Sequence, residues 1–357
     1  MAEDLSKRKY KHWQDEGVEK IPPDEEEDIN AVAEQVNGMQ RAQFNSHRHC
    51  YTGTHARTHG IVKGRLTVKD DLPPHLKQSM FAHAAEYPAV CRYSSEPGDP
   101  GLDDRIPQPR GFAIKIFHIP GEMFDSTKTA QDIEFNSTPA IDLADAKTTR
   151  EILDLRIKYG NNKPELYKHL EARKDTDLQK GRDQVRNTHL ESTRQYSQTA
   201  YRFGDYVAKY CLVPSTETQR KMYEETVKPD EHESDILSQW LINFHNNHDA
   251  EYLWQFQLLE NLDDQPVEYA GKVWDPEKYP WQTAATLFVP KQDPFNYELK
   301  SFWEDHMRID PWMGLKTLQP LGGSNRLRKK VYYASSKLRR EMNGRREIAV
   351  HSIDQIP

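Results

Sequence analysis

The chain has 357 residues, of which 36% are hydrophobic and 29% charged, with a formal net charge of −7 at pH 7. That length can bury one large core or two modest ones, and no apolar run approaches the length that a membrane-spanning helix needs. A net negative chain lacks the concentrated basic surface that phosphate backbones require, so neither a membrane nor a nucleic-acid partner is expected.

Met1 to Lys20 is charged throughout and has no apolar stretch of the signal-peptide kind, so a cytoplasmic location is expected. Residues 1–30, with the acidic run Asp24 to Asp28, read as a charged arm, either flexible or a lone surface helix, that carries no chemistry. His59 to Asp70 reads as a strand, with Ile61, Leu66 and Val68 among polar neighbours and a stop at Pro73-Pro74. Phe112 to Ile119 is a second strand. Residues 148–197 are dense in Glu, Lys, Arg, Leu and Gln and read as a helical insertion. Strand character returns at Tyr201 to Val213, Glu251 to Glu260 and Thr283 to Val289, whereas Pro294 to Arg308 and Asn325 to Arg346 read as helices. This order predicts an α+β fold in which a sheet closes into a barrel. Residues 31–347 form one domain in this reading, and 348–357 a C-terminal tail.

Three constellations could carry chemistry. His55 and His59 stand four apart around Arg57, but the glutamate of a zinc-protease motif is missing and Gly60 and Gly64 oppose a helix. On the residues alone they read equally as surface histidines, and His59 as either pocket lining or surface. Arg110 stands at the mouth of a strand, and Asn136-Ser137-Thr138-Pro139 is a polar corner. Arg328 and Tyr332, at i and i+4 on one helix face, place a guanidinium beside a phenol. Such a cation favours the phenolate, a ligand for ferric iron, although an ion-pairing surface helix has the same pattern. Cys50, Cys91 and Cys211 are too far apart for a disulfide framework or a zinc knuckle and read as buried thiols.

In order along the chain, these segments resemble the haem catalase superfamily. His55-Ala56-Arg57 with Gly60 is similar to the distal His-Ala-Lys-x-x-Gly, Arg92-Tyr93-Ser94-Ser95 to Arg-Phe-Ser-Thr, and Pro109-Arg110-Gly111-Phe112-Ala113-Ile114-Lys115 to Pro-Arg-Gly-Phe-Ala-Val-Lys. Asn136-Ser137-Thr138-Pro139 stands for Asn-Asn-Thr-Pro. Lys272-Val273-Trp274 and Asp293-Pro294-Phe295-Asn296-Tyr297 continue the series, and Arg328, Tyr332 and Arg339 match the proximal helix. Together the matches run from Thr54 to Arg346.

The resemblance implies an antiparallel eight-stranded barrel with surrounding helices and a haem b pocket between the barrel and the C-terminal helix. In that frame His55 is the acid/base, Asn136 binds the peroxide and Ser94 holds the His55 ring. Arg92 and Arg339 pair with haem propionates, Arg328 keeps Tyr332 ionised, and Tyr332 is the metal ligand. Tyr333, next to it, points about 100° away on a helix. Chain length and Tyr201-Arg-Phe-Gly-Asp-Tyr206 resemble the minimal catalase-related peroxidases, and Thr54 before His55 resembles the allene oxide synthase branch. Thr52 replaces an arginine of the family. The expected function is a haem peroxidase acting with hydrogen peroxide or an organic hydroperoxide on a small-molecule electron donor or biosynthetic substrate. A small true catalase, a haem-storage protein on a degenerate barrel and a barrel without haem are the alternatives. A homodimer is the expected assembly.

Overall fold

The computed structural model describes residues 4–357. In chain order the elements are α1 (Glu25–His47), β1 (Arg57–Val68), β2 (Ala85–Ser95), β3 (Arg110–Ile116), β4 (Gln131–Asn136), α2 (Ala146–Tyr159), α3 (Lys163–Glu171), α4 (Thr176–Gly181), β5 (Gln195–Tyr196), β6 (Tyr201–Phe203), β7 (Tyr206–Pro214), α5 (Glu217–Met222), α6 (Ile236–Asn247), β8 (Ala250–Leu258), β9 (Gln282–Val289), α7 (Tyr297–His306) and α8 (Gly323–Met342).

Every named strand pair is antiparallel, in the order β5-β4-β3-β2-β1-β9-β8-β7, and β5 pairs back onto β7. Eight strands therefore close into a barrel, and β6 adds a short hairpin arm to β7. Closure rests on very few residues: Asn136 pairs with Tyr196, and Tyr196 with Cys211. The β1–β9 seam is tight, since a Cβ on Gly64 would stand 2.4 Å from the Phe288 carbonyl oxygen. Only a residue without a side chain lets these two backbones meet.

Aromatic rings fill the barrel. Phe81, Phe203 and Phe256 stack or meet edge-on with centroids 4.1–5.9 Å apart, Phe135 stands edge-on to Trp254, and Tyr93 packs on Phe112. Burying such rings supplies the largest apolar area per residue. Cys50, Cys91 and Cys211 are all buried, and burial pushes the Cys211 thiol up to about 11, so these thiols are inert.

A helical layer covers one side. Val32, Ala33 and Val36 of α1, Ala146 and Leu153 of α2, and Leu327 and Val331 of α8 form one apolar cluster. Residues 25–30, placed above in the charged arm, open α1, and the acidic side chains Glu25 to Asp28 occupy the first turn, where they favour the helix dipole. Farther toward the N-terminus, Val18 is buried against Leu259 and Trp274. The helical insertion holds only in part. It is helical through α2, α3 and α4, but β5, within 195–197, is the strand that closes the barrel. Its two residues are decided by pairing with β4 and β7, which local propensity does not register. At the other end, Ile356 packs against the cluster of Ile61, Val90 and Phe117, and its carbonyl accepts the Lys63 ammonium at 2.6 Å. Among the described residues no helix is long and apolar enough to cross a membrane.

Candidate active site

Between the open face of β2–β4 and the helices α1 and α8 lies a cavity of about 210 Å3. His55, Thr54, Ser94, Asn136, Arg92, Arg328, Tyr332 and Arg339 all line it, so one chamber collects every site residue expected from the sequence.

His55 sits in the loop between α1 and β1 with φ 54°, a left-handed conformation that costs a non-glycine residue free energy. Three contacts hold it there: its N–H donates to the Glu96 carbonyl at 2.6 Å, and its carbonyl accepts from Arg92 and, at 3.2 Å, from Thr52. Its ring Nδ1 meets the Ser94 hydroxyl at 3.0 Å. Burial, and secondarily the positive charges of Arg92 and Arg328, push the imidazole down to about 3. At neutral pH it is therefore an uncharged base whose Nε2 is the nitrogen left to exchange a proton.

Asn136 ends β4 at the closure of the barrel. Its Nδ2 stands 3.5 Å from Glu96 Oε2, and its buried Oδ1 has no protein partner. An asparagine carrying an unmet acceptor into a cavity is poised for a polar ligand.

Opposite these groups stands α8. The i, i+4 spacing places both Arg328 and Tyr332 on the cavity wall, whereas Tyr333 is off that wall and 54% exposed, with the Arg308 guanidinium 5.5 Å from its ring. The phenol of Tyr332 donates to Glu134 Oε2 at 2.8 Å. Burial and Glu134 push this phenol well above its ordinary range, against the pull of Arg328. Arg328 thus acts in the expected direction, favouring the phenolate, against burial and Glu134, which favour the phenol. Glu134 is itself pushed up to about 7, by burial against Arg328 and the Tyr332 bond. Arg328 donates to Thr199 and Asn325 at 3.3 and 3.1 Å and stays protonated.

Arg92 and Arg339 complete the cationic side. Each is pulled down to about 10, Arg92 by burial with Arg339 adding to it, and Arg339 by burial with Arg340 adding to it. Arg339 Nη2 donates to the Met307 carbonyl at 2.6 Å, but its Nε has no partner. Two buried guanidiniums that repel each other and retain an unmet donor form a seat for carboxylates.

His59 belongs neither to the cavity nor to the surface, the two places expected for it. It is fully buried, with Nδ1 2.9 Å from the Ser238 hydroxyl and Nε2 2.7 Å from that of Ser95, at a bulge where the β1–β2 register shifts. It does not converge with His55. Arg110 likewise turns away from the cavity, to Ser95, Asn187 and the Asp104 and Ile106 carbonyls.

Four acidic residues of the cavity, Glu96, Glu134, Asp142 and Glu304, were missed from the sequence. The signal for Glu134 was its i, i+2 relation to Asn136, which puts both on one face of β4. Glu96 immediately follows the Arg-Tyr-Ser-Ser segment, but its direction is set by the chain leaving β2.

No protein-family model matches the sequence, and no curated protein matches it either. The fold, in contrast, has clear counterparts among solved structures. Catalase A from Saccharomyces cerevisiae superposes with a TM-score of 0.61 and 16% identity over 84% of this chain and 63% of that one. A fungal catalase gives 0.60 and 16% identity, over 84% of this chain and 61% of that one. A bacterial catalase gives 0.59 and 15%, over 95% and 67%. The chain thus spans a little under two thirds of the length of the first two. Its closed antiparallel barrel with flanking helices is the fold of the catalases.

Proposed function

We propose that this chain is a haem b-dependent, peroxide-using oxidoreductase of the minimal catalase-related kind, a peroxidase acting on an organic or biosynthetic substrate. The observation that carries the reading is the composition of one cavity: an uncharged imidazole and an asparagine on one wall, a phenol with a neighbouring guanidinium on the other, and buried arginines between.

The residues fit the group. Arg92 and Arg339, with the orphaned Nε of Arg339, would take the two propionates, and the Tyr332 oxygen is the one donor on the α8 wall suited to ferric iron. Bound there, haem supplies the redox chemistry of O–O cleavage. The protein's part is acid–base and positional. His55 takes a proton from one peroxide oxygen at Nε2 and returns it to the other, while Ser94 holds the ring through Nδ1. The Asn136 amide orients the peroxide. Arg328 stabilises negative charge on the Tyr332 oxygen, and Glu134 is the acceptor facing the phenolic proton.

The test is an absorption spectrum of the protein reconstituted with haem, followed by oxygen evolution and chromogenic-donor oxidation with hydrogen peroxide. A ferric tyrosinate-type Soret spectrum, lost in Tyr332→Phe and kept in Tyr333→Phe, with donor turnover exceeding oxygen release, supports the peroxidase. Rapid oxygen release would make it a small catalase, and a missing Soret band would sink the reading.

A further inference from the structure

The wall of the cavity beside Asn136 carries a chain of alternating charges. Glu96 Oε2 stands 3.5 Å from Asn136 Nδ2, and Glu96 Oε1 accepts Arg182 Nη2 at 2.7 Å. Arg182, in the turn that follows α4, also reaches Asp142 Oδ2 through Nε at 3.3 Å, and Asp142 is paired in turn with Arg156 of α2. Both carboxylates line the cavity, whereas the two guanidiniums stand behind them. An anionic rim of Glu96 and Asp142 thus stands at the His55–Asn136 side, opposite Arg92, Arg328 and Arg339, whose charge Glu134 and Glu304 partly offset.

Such a rim acts on whatever shares the chamber with Asn136. A fixed carboxylate a few ångströms from the reacting atoms, in a partly dry site, repels anions far more strongly than the same charge in water. Arg182 is buried between Glu96 and Asp142, whose charges hold it protonated against the pull of burial. Glu96 is also tied to the His55 loop, since its carbonyl accepts the His55 N–H at 2.6 Å.

We infer that Glu96 is a specificity-determining residue of this site, with Arg182 as its counter-charge: it admits neutral peroxides and neutral or cationic hydrogen donors and disfavours small anions. The inference rests on the haem reading given above. It assigns a substrate class that His55, Asn136 and Tyr332 leave open.

Azide is the probe, titrated by its spectral shift into the haem-loaded full chain at pH 7.5 and low salt. Glu96→Gln keeps the side-chain shape and leaves Arg182 in excess, so azide binds about tenfold more tightly; Arg182→Gln leaves Glu96 uncompensated, so azide binds about tenfold more weakly. Added salt shrinks both differences. A general loosening of the pocket would move both variants in the same direction, and that result, or unchanged affinities, overturns the inference. Either variant suffices if the other does not fold, because the two shifts have opposite signs. A wild-type chain without a Soret band overturns the haem reading and this inference together; a normal Soret band with unaltered azide binding overturns this one alone.

Discussion

The imidazole of His55 rests on the α-carbon of Gly111: a Cβ at that position would lie 2.4 Å from His55 Cε1 and 2.9 Å from Ser94 Oγ. The glycine of β3 therefore provides the seat on which the ring and its hydroxyl partner are held together. Gly111→Ala should push the ring off Ser94 while β3 keeps its pairing with β2 and β4. The expected outcome is a fall of about a hundredfold in the rate of reaction with peroxide, from misplacement of the base, with circular dichroism unchanged. Stopped-flow mixing of the haem-loaded variant with hydrogen peroxide checks it, and a wild-type rate would mean that the seat is not needed.

Ser94 makes a separable contribution. Ser94→Ala leaves the seat open but removes the contact to Nδ1, so the ring loses its fixed tautomer. Peroxide reactivity should fall by about tenfold or more, while stability drops by only about 1 kcal/mol, the ordinary value of one hydrogen bond. Urea unfolding and peroxide kinetics on the same variant separate the two effects.

Arg339 should show effects of opposite sign in two assays. It is a buried cation with an unmet Nε and a like-charged neighbour, Arg340. In the haem-free chain, Arg339→Met relieves that burial and should raise the unfolding midpoint or leave it unchanged. Haem affinity of the same variant should fall by about tenfold or more, as one charge-assisted contact to a carboxylate is lost. Reduced stability of the apoprotein together with unaltered haem binding would contradict this role.

Lys209 provides a pH-dependent test outside the cavity. Its ammonium is buried against the Trp274 ring, and burial pushes it down to about 7 from its ordinary 10.5. Between those values the unfolded chain binds the proton and the folded chain does not, so folded stability attributable to this residue rises with pH by about 1.4 kcal/mol per unit. Lys209→Met should therefore be more stable than the wild type at pH 7, and the difference should shrink steadily toward pH 10. Urea unfolding of both chains across that range gives the slope; a constant difference would mean that the folded lysine keeps its proton.

The sequence by itself determined which expected site residues gather in one cavity and most of the framework around it. The i, i+4 spacing of Arg328 and Tyr332 is covalent information read through helix geometry, and the structure places both on one wall. The strands around Phe112, Glu251 and Thr283 were legible because their apolar residues alternate or cluster between turn residues, whereas the single strand expected over Tyr201 to Val213 is a hairpin of β6 and β7 that turns at Gly204-Asp205. Tyr332 rather than Tyr333 was singled out by its register in the resemblance to the catalases; helical periodicity adds only that the two phenols point about 100° apart.

Tertiary structure alone decided what depends on neighbours distant in sequence. Strand β5 is two residues long and exists because Asn136 and Cys211 flank it, so no local propensity could announce it. Helix α6 and the extension of α1 to His47 were missed for a related reason: their apolar faces matter only against the barrel and α8. The group that opposes Arg328 at Tyr332 also had to await the fold. Arg328 is four residues away along the chain, but Glu134 is 198 residues away and approaches only because barrel closure brings β4 under α8. Desolvation, too, belongs to no residue alone: His55 is an ordinary histidine in the sequence and an uncharged base only where the loop, β2 and β3 enclose it.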